Sequence, residues 1–198
     1  MSRGKVLIWI TAAALIGTAS PALAKGSGDV VAVETAAAAL APNQFVWADS
    51  DSGEPVRVVI NIGEQRAYVY RGEALVAATA ISSGKIGKET PSGTFPILQK
   101  KITHHSTLYD NAPMPFMQRL TWDGIAIHAG KNPGFPASHG CIRVPLDFAK
   151  KLYGITTLGT TVTVVGEDGL VAPTPLSPEA DSGQTAAANK AVLKLASR

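Results

Sequence analysis

Short apolar runs, cut by glycines and prolines, fill the middle of the chain. Arg57 to Ile62 is the first. Gln65 to Tyr70 follows a tight turn at Gly63-Glu64 and alternates with period two. Tyr68 and Tyr70 fall on one face, Ala67 and Val69 on the other. A turn at Arg71-Gly72-Glu73 leads into Leu75 to Ile81. Thr94 to Leu98, Gln118 to Leu120, Gly124 to His128 and Thr161 to Val165 have the same character. Runs of this length and composition between turn residues predict strands. One stretch has helical spacing instead, Pro145 to Tyr153, with Leu146, Ala149, Leu152 and Tyr153 as its apolar stripe. Proline suits a first helical turn, Asp147 sits where the helix dipole favours an acid, and Gly154 is expected to stop the helix. The pattern predicts a mainly β domain over residues 55–166 with a short helix near its end, and no internal repeat is visible.

The flanks read differently. Arg3 and Lys5 precede an apolar run from Val6 to Ile16, and Ser20-Pro21-Ala22-Leu23-Ala24 ends in an Ala-x-Ala pattern. This three-part layout predicts a cleaved export signal over residues 1–24. The run is shorter than the ~20 residues a bilayer-spanning helix needs, so no integral membrane span is expected after cleavage. Residues 25–54 read as a linker: Gly26-Ser27-Gly28 is flexible, and Glu34 to Ala41 is dominated by alanine. Gln44 to Trp47 is the part of it expected to dock on the domain. Residues 167–198, rich in Pro, Ser and Ala, read as a mobile tail. Asn189 to Leu195 has the spacing of a short helical turn, to which no function is assigned.

Composition narrows the chemistry. Of the 198 residues, 45% are hydrophobic and 17% charged, which permits a core and excludes a disordered polyelectrolyte. The single cysteine, Cys141, excludes a disulfide framework and a Cys-rich zinc module. Removing residues 1–24 takes two of the 18 basic residues and none of the 15 acidic ones, leaving a chain of about +1. With no basic stripe to neutralise phosphates, no nucleic-acid partner is expected. No phosphate-binding loop or dinucleotide glycine pattern occurs, so no cofactor is expected and the chemistry falls to side chains.

The stretch from Gly124 to Arg143 carries that chemistry. A strand ends at His128, a Gly/Pro-rich loop follows, and Ser138-His139-Gly140-Cys141 comes shortly before the predicted helix. A cysteine near a helix N-terminus, flanked by His139 and Arg143, is expected to have a lowered thiol pKa. His128 is placed to act as a base, and the N–H groups of Gly140 and Cys141 are candidate oxyanion donors. Buried lone cysteines are commonly inert packing, but a polar, glycine-rich turn is poor ground for that. His104, His105, His128, His139 and Cys141 form the rival, metal-binding set. No second cysteine and no helical His-x-x-x-His reinforces it, so no metal is expected. His104-His105 reads as a solvated loop pair or a cleft wall.

His128, Ser138, His139, Gly140, Cys141, Ile142 and Arg143 together resemble the catalytic motif of the L,D-transpeptidases, the YkuD domain family. Val58 to Tyr70 resembles that family's first hairpin. Ser82-Ser83-Gly84-Lys85, Thr90-Pro91-Ser92-Gly93-Thr94-Phe95 and Met114-Pro115-Phe116 resemble three of its further segments. The resemblance implies a β-sandwich catalytic fold and a cysteine acyltransferase acting on peptidoglycan stem peptides. It implies Cys141 as nucleophile, attacking a bond between an L-centre and D-alanine, and His128 as proton acceptor and donor. The Ala129 carbonyl would fix the imidazole tautomer. His139, Gly140 and Cys141 would form the oxyanion pocket, with Ser138 supporting it, and Arg143 would support the loop or hold a substrate carboxylate. The thioester would pass to an amine, giving a 3-3 cross-link or attachment to an envelope protein; water would make the enzyme an L,D-carboxypeptidase. The implied location is the periplasm or cell envelope. Only nine residues separate His128 from Ser138, fewer than in the commonest members, which implies a reshaped cleft rim. Papain-like and NlpC-type hydrolases place cysteine before histidine, the reverse of the order here, and sortases lack the Ser-His-Gly before their cysteine. A non-catalytic envelope-binding protein is the non-enzyme alternative, separated by the reactivity of the thiol.

Overall fold

The computed structural model describes residues 27–49, 51–108 and 110–171. The expected export signal and residues 172–198 of the expected tail lie outside them. The elements run α1 (Ser27–Ala38), β1 (Phe45–Trp47), β2 (Val56–Asn61), β3 (Arg66–Arg71), β4 (Ala74–Ala80), β5 (Gly93–Pro96), β6 (Gln99–Lys101), β7 (Met117–Arg119), β8 (Ala126–Ala129), β9 (Ile142–Val144), α2 (Leu146–Ile155) and β10 (Thr161–Val165).

They form two sheets. The larger has the order β1-β4-β3-β2-β10-β5, with β10 parallel to β2 and the other pairs antiparallel. The smaller has the order β6-β7-β8-β9, with β8 and β9 parallel. The predicted alternation in β3 holds: Ala67 and Val69 enter the main core, whereas Tyr68 and Tyr70 cover the opposite face. Val58, Ile60, Val162 and Val164 from the larger sheet meet Ile127, Ile142 and Val144 from the smaller one in that core. Phe148, Ala149 and Leu152 of α2 join them, and all three are buried. This is the mainly β sandwich with a short helix that the sequence predicts.

Four details depart from the sequence reading. The predicted strand Thr94 to Leu98 divides as the chain changes sheets. The Ile97 N–H still bonds Thr160 O, but the Leu98 N–H bonds Arg119 O in the other sheet. The predicted helix begins after Pro145, which caps it, and passes through Gly154 to Ile155. Thr156 stops it instead, taking up extended backbone while its N–H and hydroxyl both donate to Leu152 O. A strand, β9, separates Cys141 from that helix, so the cysteine is not at a helix N-terminus.

The fourth departure is the stretch read as a linker. Residues 27–49 fold against the larger sheet. Alanine is the strongest helix former, and Val33, Ala37 and Leu40 lie buried along one side of this segment. They pack on Leu75 and on Ala78 and Ala80, and the two alanines let the helix come close. Arg66 of β3 donates to the carbonyls of Ala37, in the last turn of α1, and of Leu40, just beyond it, at 3.2 and 2.6 Å. The docking expected of Gln44 to Trp47 is seen as β1 pairing with β4. Phe45 and Trp47 both meet the Phe148 ring edge-on, at 5.8 and 5.5 Å. Beyond β1, Asp49 and Arg71 form a buried bidentate pair at 2.6 and 2.8 Å.

Candidate active site

The parallel pair β8–β9 assembles the site. His128 stands in register with Arg143, and Ile127 with Ile142. Because side chains alternate across a strand, Ile127, Ile142 and Val144 enter the core while His128 and Arg143 share the other face. Two residues back along both chains, Cys141 comes opposite Ala126, on that same face. The Ala126 N–H reaches the sulfur, and the thiol donates to Gly124 O at 3.4 Å. Cys141 packs against Met114, Met117 and Ala126. His128, Ala129, Ser138, His139, Cys141 and Arg143 all line one cavity of about 660 Å³. Its remaining wall is mostly apolar, with Leu108, Pro113, Met114, Ile125 and Leu146, and it carries Lys131 and Asp123 as further charges.

His128 is buried, and its Nδ1 lies 2.8 Å from Ala129 O. A carbonyl only accepts, so Nδ1 carries the proton and the neutral ring keeps a lone pair on Nε2. Burial lowers the pKa of this imidazole to about 4; the Ala129 bond opposes the shift and the Arg143 charge adds to it. The ring is therefore neutral at pH 7 and able to accept a proton. Burial also raises the Cys141 thiol above its ordinary value, outweighing the opposite pull of the Ala126 N–H and of Arg143 and Arg119. The expected lowering of the thiol pKa is thus corrected: desolvation disfavours the thiolate more than nearby cations favour it. The thiol and the imidazole that share the cavity wall are thus both neutral at rest, not a thiolate–imidazolium pair.

Hydrogen bonds hold the turn before Cys141. Ser138 Oγ accepts from the Gly140 N–H at 3.0 Å and donates to Cys141 O at 2.6 Å. The Gly140 amide, one of the two expected oxyanion donors, is therefore occupied by Ser138. Gly140 has φ of 113°, a backbone conformation that favours glycine, and a Cβ there would also press on the tip of the Ile125 side chain at 2.6 Å. The segment Ser82 to Lys85 runs alongside. Ser82 and Arg143 exchange backbone bonds at 3.0 Å, and the Lys85 N–H donates to Ser138 O at 3.1 Å. Gln65 supports this segment from the hairpin turn, donating to Ser83 Oγ at 2.8 Å and accepting the Ser83 N–H at 3.1 Å.

His104 and His105 do not line the cavity. His104 lies beside Arg119, with Nε2 3.4 Å from the guanidinium, and His105 bridges to Pro113. Among the described residues no group of three His, Cys, Asp or Glu side chains comes together as a metal site. Two residues at the site were not read from the sequence as parts of it. Thr90 is buried beneath the turn and donates to Gly140 O at 2.8 Å. Asn43, in the segment whose sequence predicts a linker, lines the cavity and bonds Asn132 of the loop after β8. Thr90 belongs to a motif quoted for the family resemblance, a signal that marked its segment without giving a role; nothing local marked Asn43.

Residues 55–164, more than half of the chain, match the family model for the L,D-transpeptidase catalytic domain, YkuD. No curated protein matches the sequence. Among solved structures, the chain is similar to an L,D-transpeptidase from Stackebrandtia nassauensis, at 26% identity and a TM-score of 0.51, covering 58% of this chain and 57% of that one. It is similar to Mycobacterium tuberculosis L,D-transpeptidase 1 at 27% identity and a TM-score of 0.50, covering 57% and 62%. The fold also matches the L,D-transpeptidase LdtMt1 solved in complex with imipenem, at 22% identity and a TM-score of 0.53, covering 63% and 68%. The match spans less than two thirds of the length of the first of these structures. With residues 55–164 matching that model over more than half of its length, the chain belongs to the L,D-transpeptidase catalytic-domain (YkuD) family.

Proposed function

We propose that this protein is an exported cysteine peptidyl transferase that opens the bond between an L-centre and D-alanine in a peptidoglycan stem tetrapeptide and passes the acyl group to an amine. The observation that carries this reading is the Nδ1–Ala129 bond, which leaves a lone pair on His128 Nε2 on the sheet face that holds Cys141. Cys141 Sγ bonds to the carbonyl carbon as Nε2 takes the thiol proton. The carbonyl oxygen becomes an oxyanion. With the Gly140 N–H held by Ser138, the Cys141 N–H is its backbone donor. The C–N bond then breaks, His128 returns the proton to the departing D-alanine nitrogen, and a thioester remains. An acceptor amine attacks the thioester and gives its proton to Nε2; Cys141 leaves and is reprotonated. Arg143, on the same wall, suits a substrate carboxylate because its planar fork binds two oxygens.

The acceptor in this reading is a second stem peptide, giving a 3-3 cross-link, or a lysine of an envelope protein. Water as acceptor gives a carboxypeptidase. Location in the periplasm or envelope is part of the proposal, supported by the N-terminal basic–apolar–Ala-x-Ala pattern and by where peptidoglycan lies. The imipenem complex of a fold neighbour makes a carbapenem the natural probe. Intact mass after incubation with imipenem is expected to show one adduct on the parent protein and none on Cys141→Ala. A folded parent with a free thiol and no adduct overturns the reading. Release of D-alanine from a stem tetrapeptide, with and without an amine acceptor, then separates transfer from hydrolysis.

A further inference from the structure

We propose that Thr90 aims the Cys141 N–H into the cleft and so positions the oxyanion donor; the inference rests on the thioester chemistry above. Thr90 is 7% exposed and lies outside the cavity lining. Its hydroxyl accepts from the Gly84 N–H at 2.9 Å and donates to Gly140 O at 2.8 Å. The first partner can only donate and the second can only accept, so the hydroxyl has one orientation. Gly84 makes the contact possible. A Cβ there would lie 2.1 Å from Lys88 O and 2.7 Å from Thr90 N, so any side chain would push the two segments apart.

The consequence follows from peptide geometry. In a trans peptide the N–H points opposite to the C=O of the same plane. The plane holding Gly140 C=O also holds the Cys141 N–H. Fixing the carbonyl onto buried Thr90 turns the N–H to the other side, where His139 and Cys141 line the cleft. That N–H meets no backbone acceptor among the described residues. The planes on either side are held by Ser138, which takes the Gly140 N–H and donates to Cys141 O. Among the described residues, Thr90 is the one that bonds the middle plane. Without it, the backbone freedom of glycine lets that plane rotate, and the oxyanion loses its donor while the sulfur stays where it was.

Two reactions of the same thiol separate this role from support of the turn in general. Imipenem acylation passes through an oxyanion, whereas alkylation by iodoacetamide displaces iodide from a saturated carbon and forms none. Thr90→Val is expected to lower the second-order acylation constant by about 100-fold, the scale of a misplaced reacting group. Alkylation is expected to stay within about twofold of the parent, because the sulfur and its base keep their places. Thr90→Ser, which keeps the hydroxyl, is expected to restore acylation to within about threefold. If the valine variant does not fold, Thr90→Ala is measured in the same way. An equal fall in both reactions, or no fall in acylation, overturns the assignment. A parent protein that imipenem does not acylate overturns the proposed function instead.

Discussion

The turn 138–141 and the arm 27–49 reach the same cleft by opposite means. In the turn, consecutive peptide planes are fixed by hydroxyl hydrogen bonds from Ser138 and Thr90. In the arm, small apolar side chains hold a helix on the back of β4, and only Asn43 reaches the cavity. Buried hydrogen bonds are directional and leave costly orphans when broken, whereas apolar packing is non-directional and fails by degrees. The turn is therefore built for the position of atoms and the arm for the presence of a wall. Changes in the turn should alter rate with little effect on substrate binding, and changes in the arm should do the reverse.

The largest expected effect is at His128, on the strand beside the turn. His128→Gln removes the proposed proton acceptor and is expected to lower imipenem acylation by about 10²- to 10⁴-fold. The pH profile distinguishes lost base chemistry from lost structure. Since the imidazole pKa is held at about 4, the parent rate should be flat across neutral pH and fall only toward that value. The glutamine variant depends on spontaneous thiolate, so its rate should climb about tenfold per pH unit and keep climbing, because burial holds the thiol pKa high. A parent rate that halves near pH 6.5 contradicts the buried, neutral imidazole. The same shift sets a stability trend. The unfolded chain binds the His128 proton at about 6.5 and the folded chain at about 4. Between these values the unfolded state carries more protons, so stability rises with pH. This contribution is present in full above about 6.5 and is lost below it, reaching about 3 kcal/mol near pH 4. Denaturant unfolding of parent and glutamine variant should show the difference in slope.

Leu40→Ala tests the arm alone. Leu40 is 7% exposed against Leu75, Ala78 and Ala80. Its truncation is expected to cost about 2–4 kcal/mol in denaturant unfolding. Acylation of the folded fraction should keep the parent rate. A matching loss of acylation in fully folded protein would mean that the arm positions reacting atoms, and the contrast between the two regions would fail.

The contrast also explains what the sequence made legible. That His128 and the run Ser138 to Cys141 would share one cavity was legible because they lie close in sequence, His128 on β8 and the run in the turn just before β9. The alternation in Gln65 to Tyr70 was readable because the two faces of β3 meet different surroundings. Thr90 was not assigned a role because its partner, Gly140, lies 50 residues away. The raised thiol pKa was not readable, since it depends on Met114, Met117 and Ala126 closing around the sulfur. The arm was misread because alanine looks featureless until the opposing surface is known. Ala78 and Ala80 of β4 make room that larger residues would fill, and Arg66 supplies the cap that the arm itself lacks.

The smallest expected effect lies where the two regions touch. Asn43 sits at φ of 63°, a left-handed conformation that asparagine tolerates better than most side chains. From there its Nδ2 donates to Asn132 O at 2.9 Å, and its Oδ1 accepts the Asn132 N–H at 3.4 Å. This pair fixes the loop after β8, the loop that carries Lys131 on the cleft wall. Asn43→Ala removes both bonds, and each is worth about 1 kcal/mol net. The expected result is a stability loss of about 1–2 kcal/mol and a KM for the stem tetrapeptide raised by about 3- to 10-fold, with kcat within about twofold. A fall in kcat at constant KM would place Asn43 with the reacting atoms and merge the two regions into one device. An unchanged KM would reduce the arm to a cover for β4. The predicted split assigns it the cleft wall, a part of the site that lies outside the matched family segment.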